Sequence, residues 1–169
     1  MSDNILDHYI KGAITDLDGA IIERECLHFD NIPVVLTNGC FDILHRGHLE
    51  FLNNAAKFGK LFVLLNSDKS VKALKGDHRP INNEQDRAYA LASLTCVYHV
   101  VIFDSPTCEN EILQLHPDFY VKGGDYIAGL NQEEKNALDT VKCEIKILDF
   151  KEGYSTTSII EKIIKLNKS

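Results

Sequence analysis

The sequence is 169 residues long, 44% hydrophobic and carries a formal net charge of −7, which fits one globular domain with a full-sized core. A long nucleic acid binds to a positively charged face, and the sequence contains no cluster of basic residues that could form one. No nucleic-acid partner is therefore expected. No apolar run is long enough for a membrane span or a signal peptide, so no membrane association and a cytoplasmic location are expected.

Residues 1–32 do not follow the pattern of the rest of the chain, and we predict that they form an N-terminal extension of unknown role. A helix is possible over residues 3–12. The stretch ITDLDGA, residues 14–20, resembles the D-x-D-G start of haloacid-dehalogenase-type phosphatases, but the apolar stretch before it is too short. Ala20 also stands where those enzymes have a hydroxyl residue. A loop rich in aspartate and glycine is the preferred interpretation.

From residue 33 onward, short apolar runs alternate with helical patterns. The runs are almost continuously hydrophobic, as expected of strands that are covered on both faces, and predict five strands at 33–38, 61–66, 97–103, 118–123 and 144–150. Helices are predicted at 47–58, 68–75, 84–95, 107–115, 130–141 and 155–167. This alternation predicts a single α/β domain over residues 33–169, with a Rossmann-like, doubly wound, five-stranded parallel sheet. Ligands of such sheets bind beyond the carboxyl ends of the strands.

The stretch GCFDILHRGH, residues 39–48, follows the first of these predicted strands and opens the next helix. Gly39 allows the backbone to come close to a ligand, and Gly47 leaves space against the helix. The start of a helix attracts phosphate groups. His45 and His48 can point to the same side and donate hydrogen bonds to a phosphoryl oxygen. A chance pair and a metal pair are the alternatives, and a metal pair lacks a third ligand at a familiar spacing.

The stretch YSTTSI, residues 154–159, follows the last predicted strand and opens the last helix. Its hydroxyl and N–H groups can form a second phosphate-binding helix start. Taken alone, such a cluster of serine and threonine is more often only a helix cap.

Together these two stretches resemble the motifs of the cytidylyltransferase-like nucleotidyltransferases. That family has a strand followed by G-x-F-D-x-x-H-x-G-H and a helix, and I-S-T-T-x-I near its end, where Tyr154 replaces the usual apolar residue. Within the family, this chain is most similar to the adenylyltransferase domain of the bifunctional heptose-phosphate kinase/adenylyltransferases. That similarity rests on NSDKSVKALKGDHRPIN (66–82), VKGGDY (121–126) and DFKEGYSTTSII (149–160). The resemblance covers residues 33 to about 167.

The resemblance implies an enzyme that transfers AMP from ATP to a sugar 1-phosphate, with heptose 1-phosphate as the first candidate. Pyrophosphate and an ADP-sugar would be the products. Phe150 stands where glycerol-3-phosphate cytidylyltransferases have an arginine, which favours ATP over CTP. A cytidylyltransferase that forms a CDP-polyol or a CMP-phosphonate is the alternative. A non-catalytic nucleotide-binding module on the same fold is a third hypothesis.

The resemblance also assigns roles to individual residues. His45, His48 and Lys75 are the implied catalytic residues, with Lys72 a competitor of Lys75. The implied contacts of the second substrate or its phosphate are Asp42, Arg79 and Arg87. Solvated surface charges are the alternative for these lysines and arginines. The implied nucleotide contacts are Asn38, Gly39, Cys40, Phe41, Gly47, Lys122, Gly123, Asp125, Ser155, Thr156 and Thr157.

Mg²⁺ is the implied cofactor. We expect the triphosphate oxygens to hold it, with few protein ligands, and the sequence does not identify those ligands. ATP or CTP and a sugar or polyol phosphate are the implied small-molecule partners. A homodimer is the implied assembly.

Overall fold

The computed structural model describes residues 13–124, 131–149 and 153–167. The predicted helix at 3–12, Asp125 and Phe150 lie outside the described residues. Six parallel strands form one sheet in the order β1-β4-β3-β2-β5-β6. They are β1 (Ile14–Thr15), β2 (Val34–Gly39), β3 (Lys60–Asn66), β4 (His99–Phe103), β5 (Phe119–Gly123) and β6 (Glu144–Leu148). The five predicted strands are confirmed, and β1 is an addition to them.

Helices cover both faces of the sheet, as predicted for a doubly wound fold. They are α1 (Leu17–Phe29), α2 (Arg46–Ala55), α3 (Asp68–Lys75), α4 (Glu84–Ala92), α5 (Glu109–Leu115), α6 (Gln132–Thr140) and α7 (Thr156–Leu166). A short 3-10 turn, Ala56–Phe58, extends α2. Within the described ranges, no helix is both long and apolar enough to span a bilayer.

The core has one layer on each face of the sheet. In β3, Leu61, Val63 and Leu65 face the layer that contains α2 and α4. Phe62 and Leu64, which alternate with them, face the layer that contains α1, α5 and α6. Successive side chains of a strand point to opposite faces, so a strand buried on both faces has a continuous hydrophobic run. This explains why the sequence pattern located the strands well.

The prediction of a loop at residues 14–20 is wrong. Ile14 and Thr15 pair in parallel with β4, opposite Val100 and Val101. The Asp16 carboxylate then accepts a hydrogen bond from the N–H of Gly19 at 2.9 Å, which caps the start of α1. Aspartate is a preferred residue at this position because it satisfies one of the unpaired N–H groups of a helix start. The stretch ITDLDGA therefore consists of a strand, a cap and the start of a helix.

The helix that follows is part of the core. In α1, Ala20 is fully buried and Leu27 nearly so, and both belong to the layer that contains α5 and α6. Within the predicted extension, residues 14–15 therefore form the edge strand of the sheet, and residues 17–29 form a helix of the layer that contains α5 and α6.

The position of β2 determines where a ligand can bind. β2 pairs with β3 on one side and with β5 on the other. β3 and β4, which follow β2 along the chain, lie on one side of it in the sheet. β5 and β6, which come later, lie on its other side. Such a reversal of strand order leaves a crevice at the carboxyl ends of the two neighbouring strands. Both predicted motifs follow strands at this edge.

Candidate active site

A cleft of about 520 Å³ lies at the carboxyl edge of the sheet. Residues of both predicted motifs line it, since His48 comes from the first and Thr156 from the second. Of the residues implied by the family resemblance, those that line the cleft are Asn38, Gly39, Cys40, Phe41, Asp42, His48, Lys75, Lys122, Gly123 and Thr156. The two motifs therefore face one site.

His45 caps the helix that carries its partner. Its Nδ1 accepts a hydrogen bond from the backbone N–H of His48 at 3.4 Å, at the start of α2. When Nδ1 accepts, a neutral imidazole carries its proton on Nε2. The two rings are stacked, with centroids 3.8 Å apart and an interplanar angle of 17°. His45 therefore orients His48, and its own Nε2–H can still donate a hydrogen bond.

His48 is neutral at physiological pH. Burial, followed by the charges of His45 and Lys75, lowers the pKa of His48 from 6.5 to about 4. The edge of its ring contacts Phe41, with centroids 5.3 Å apart. Burial also lowers the pKa of His45. The pair consequently offers N–H donors without a permanent charge of its own.

Acidification is expected to destabilise the unliganded protein through His48. The pKa is 6.5 in the unfolded chain and about 4 in the folded one, so both states are neutral above pH 6.5 and only the unfolded state gains a proton just below it. This contribution to stability is thus present above pH 6.5 and is lost as the pH falls towards 4. Because the ring is only partly buried, we expect a loss of roughly 1 kcal/mol by pH 5.

Urea unfolding at pH 7.5 and pH 5 measures this loss. A His48→Asn variant should lose less stability over that interval than the wild-type protein does. A variant of an exposed histidine, His28→Asn, should behave as the wild type. Equal losses in the wild type and in His48→Asn would contradict the assigned cause.

The two glycines of the first motif make room for protein side chains. A Cβ atom at Gly39 would lie 3.0 Å from the ring of Phe41. At Gly47 it would lie 3.1 Å from Nδ1 of His45 and 3.2 Å from Cβ of Tyr154. We predicted that both glycines leave space for a ligand. The structure adds a second reason, because a Cβ atom at either position would crowd the rings that shape the site.

Phe41 and Tyr154 hold the histidine turn in place. Phe41 has a φ of 43°, a left-handed conformation that a bulky residue rarely adopts and that is frequent at functional sites. Tyr154, which precedes α7, lies beside His45 with ring centroids 6.3 Å apart. The second motif therefore contacts the first directly.

Asp42, an implied substrate contact, binds the protein itself. Its Oδ1 accepts hydrogen bonds from the N–H groups of Ile81 and Asn82, at 2.8 and 3.0 Å. Its Oδ2 lies 3.0 Å from Nε of Arg79 in an ion pair. Asp42 lines the cleft, whereas Arg79 is not among the described residues that do so. The carboxylate thus fixes the loop before α4 against the histidine turn.

Arg87 has a different setting from the one implied by the family resemblance. Its side chain is fully buried and lies outside the described lining of the cleft. Its guanidinium donates to the carbonyl oxygens of Cys40 at 2.6 Å and Asn82 at 3.0 Å, and to Asp68 Oδ1 at 2.8 Å. All three nitrogens of the guanidinium bind protein groups. This favours a positioning role for Arg87 over the implied substrate contact, which stays a prediction.

Of the two candidate catalytic lysines, Lys75 is the one that lines the cleft. It is the last residue of α3, it lines the cleft, and its charge contributes to the low pKa of His48. The competing candidate, Lys72, is exposed and is not part of the described lining. A cation beside a neutral donor suits a site that binds phosphate.

The second motif serves as a helix cap and also reaches the cleft. The Ser155 hydroxyl accepts from the N–H of Ser158 at 3.0 Å, at the start of α7. Thr156 lines the cleft, whereas Thr157 is exposed. The helix-cap interpretation is therefore correct for Ser155, and Thr156 is the residue of this motif that lines the cleft.

The cleft also contains residues that the sequence reasoning missed. Asn66 ends β3, so its place at the carboxyl edge was a usable signal. Glu134 lies on α6, and its neighbours along the chain give no indication of a site. The other missed residues are Thr37, Phe51, Leu74, Pro106, Thr107 and Asn131.

Glu134 belongs to a buried network, which we call the polar cluster and define as Asn38, Tyr120, Lys122 and Glu134. Tyr120 donates to Oε2 of Glu134 at 3.3 Å. Lys122 donates to Oδ1 of Asn38, and its Nζ lies 4.0 Å from Oε2 of Glu134. The amide of Asn38 donates to Oε1 of Glu134 at 3.3 Å. Burial lowers the pKa of Lys122, and Glu134 opposes that effect.

Comparison with known proteins gives consistent results. The Cytidylyltransferase-like family model matches residues 36–162. The bifunctional protein HldE of Helicobacter pylori strain J99 is 49% identical over 140 residues, which is 82% of this chain and 29% of that protein. The HldE protein of Campylobacter fetus subsp. fetus strain 82-40 is 51% identical over 150 residues, with coverages of 83% and 32%. This chain spans less than a third of the length of these relatives.

Solved structures agree on the fold. The lipopolysaccharide core biosynthesis protein of Thermoplasma volcanium GSS1 is 25% identical, with a TM-score of 0.58, and the match covers 73% of this chain and 99% of that one. A pantoate-beta-alanine ligase from Francisella tularensis is 13% identical, with a TM-score of 0.53 and coverages of 92% and 79%, and shares the fold alone. Because the family model spans most of the domain and its two motifs meet in one cleft, the chain belongs to the cytidylyltransferase-like family of nucleotidyltransferases.

Proposed function

We propose that this chain transfers the adenylyl group of ATP to the phosphate of a sugar 1-phosphate. The observation that carries the proposal is the convergence of His48, Lys75 and Thr156 in one cleft. The similarity to the HldE proteins supports an adenylyl donor. The heptose-branch stretches of the sequence support heptose 1-phosphate as the acceptor.

The proposed reaction is a direct displacement at the α-phosphorus. An oxygen of the sugar phosphate attacks, the bond from the α-phosphorus to the bridging oxygen breaks, and pyrophosphate leaves with the electron pair. The attacking phosphate is already ionised, so no general base is needed. Alignment of the reactants and stabilisation of charge on the phosphoryl oxygens then supply the catalysis. His48 and Lys75 line the cleft and supply a neutral hydrogen bond and a positive charge. His45, which stacks on His48 outside the described lining, supplies a second neutral donor, and the start of α2 adds its partial charge.

The chain is compatible with Mg²⁺ held by the nucleotide. Within the described ranges, no group of three or more histidine, cysteine, aspartate or glutamate side chains could hold a metal ion. The Asp42 carboxylate is already engaged by two N–H groups and Arg79. Mg²⁺ often binds through substrate phosphates and water with few protein ligands. When bound, the ion would neutralise charge on the triphosphate. A homodimeric assembly and a cytoplasmic location are part of the same proposal.

An assay of pyrophosphate release tests the donor and the acceptor together. ATP with heptose 1-phosphate should give a kcat/KM at least about tenfold above that of CTP with the same acceptor, since a difference of about 1.4 kcal/mol in recognition of the base is sufficient. Glycerol 3-phosphate serves as the matched acceptor for the alternative reaction. Turnover with CTP and not with ATP would establish a cytidylyltransferase. Binding of nucleotide with no turnover of any acceptor would identify a non-catalytic module.

A further inference from the structure

The polar cluster takes no part in the proposed displacement itself, although the family resemblance implies that two of its members, Asn38 and Lys122, contact the nucleotide. Tyr120 belongs to the core layer that contains α1 and α5, and so do Ala137 and Leu138, about one turn beyond Glu134 on α6. Phe41, which contacts His48, and helix α2 belong to the layer on the other face of the sheet. The cleft therefore has a histidine side and a polar-cluster side, and the sheet edge lies between them.

The polar cluster is close to electrically neutral. Glu134 and Lys122 carry opposite charges 4.0 Å apart, and they are only 5% and 6% exposed. A phosphate group needs an excess of positive donors, which the histidine side supplies through Lys75. Oε1 of Glu134 accepts from Asn38 and also from the N–H and the thiol of Cys108, whereas Oε2 accepts a hydrogen bond from Tyr120 alone among the described contacts. The polar cluster therefore suits an uncharged polar group, because Oε2 is an acceptor beside the ammonium group of Lys122. A hydroxyl group both donates and accepts hydrogen bonds, so two neighbouring hydroxyls match this set.

We propose that the polar cluster recognises a vicinal pair of hydroxyl groups on a substrate. Glu134 accepts a hydrogen bond from one hydroxyl, and Lys122 donates to the other. The inference rests on the proposed function, which supplies two sources of such a pair, the ribose of the nucleotide and the acceptor sugar. A nucleobase is a poorer fit because it needs an apolar face to lie on. In the described lining, the aromatic rings, Phe41 and Phe51, belong to the layer on the histidine side.

Calorimetric titration tests the proposal without requiring turnover. The wild-type chain, Glu134→Gln and a control are each titrated with ATP, 2′-deoxy-ATP and 3′-deoxy-ATP, and with heptose 1-phosphate and its monodeoxy analogues. The control is Asp139→Asn, which makes the same carboxylate-to-amide change at an exposed position of α6. We expect Glu134→Gln to weaken binding of one parent ligand about tenfold, as loss of a charge-assisted hydrogen bond does. The wild type should lose a similar factor when the hydroxyl is removed, and Glu134→Gln should no longer distinguish parent from analogue.

Loss confined to the ATP series assigns the polar cluster to ribose, and loss confined to the sugar-phosphate series assigns it to the acceptor. Equal weakening for parent and deoxy ligands would overturn the proposal. The proposal would also be overturned if the variant changed the preference between ATP and CTP but bound parent and deoxy ligands in the same ratio as the wild type. If Glu134→Gln does not fold, the same titrations are carried out with Lys122→Gln. If neither variant folds, the cluster has a purely structural role and the proposal is wrong. If the wild-type chain binds both ligands but does not turn them over, that result contradicts the proposed function and not the recognition of hydroxyl groups.

Discussion

Replacing His48 with alanine is expected to lower kcat about a hundred- to a thousandfold, which is the usual effect of losing one donor to developing charge. The donor strengthens as charge builds on the α-phosphate, so kcat should fall more than nucleotide binding does. His48 is partly exposed at the cleft, and its side chain contributes little to the core. The melting temperature should therefore change by only a few degrees. Single-turnover rates and thermal unfolding are measured on one preparation.

His45→Ala is the informative comparison for that variant. His45 holds the helix cap through its Nδ1, so its loss should lower the rate and also cost about 1 kcal/mol of stability, the usual value of a cap. The double variant should lose less than the product of the single losses if both rings act on one phosphate. His28→Ala, at an exposed position of α1, should change neither quantity. A stable His48→Ala protein with an unchanged rate would remove His48 from the mechanism.

Replacing Arg87 with methionine is expected to destabilise the protein by about 3–5 kcal/mol, because removing one partner of a buried charged network leaves the others unsatisfied. The carbonyls of Cys40 and Asn82 and the carboxylate of Asp68 would lose their donors. In a chain of this length the melting temperature should fall by roughly 10 °C. Activity should fall as well, because Cys40 lies in the histidine motif.

Arg46→Met is the matched control for the effect of Arg87→Met on stability. Arg46 is exposed and pairs with Glu50 at 2.6 Å, one turn further along α2. Exposed pairs of this kind contribute about 0.5 kcal/mol or less. Thermal unfolding and the KM for each substrate separate the two roles of Arg87. A normal melting temperature with a strongly raised KM would restore the substrate contact that the family resemblance implies and refute the positioning role.

The sequence predicted most of the fold because its signals are local. The predicted helix at 68–75 matches α3 residue for residue. In the structure its ends are set locally, because Ser67 caps its start and Gly76 follows its last residue. In contrast, β1 has two residues, which is too short for any hydrophobic period. Its strand conformation comes from pairing with β4, a partner far along the chain.

The same distinction applies to the candidate site. The histidine motif is contiguous, and its strand–turn–helix setting can be recognised from ten residues. Glu134 contacts Asn38 across 96 positions of the chain, so no local pattern connects them. Arg87 shows the limit for single residues, because the sequence cannot show whether an arginine is solvated or buried among carbonyl groups. For Arg87 this is decided by the packing of α4 against Asn82 in the loop before it, Cys40 after β2 and Asp68 at the start of α3.

The central position of β2 has a consequence for how the protein acquires activity. The first half of the chain carries His48 and Lys75, and the second half carries Lys122 and Thr156. Among the described strands, the two halves of the sheet join along the single pair β2–β5, with Val35 opposite Phe119 and Leu36 opposite Tyr120. The cleft needs side chains from both halves, so it is complete only when β5 pairs with β2. During refolding from denaturant, the return of turnover therefore reports the joining of the halves, whereas circular dichroism reports the formation of helices and strands.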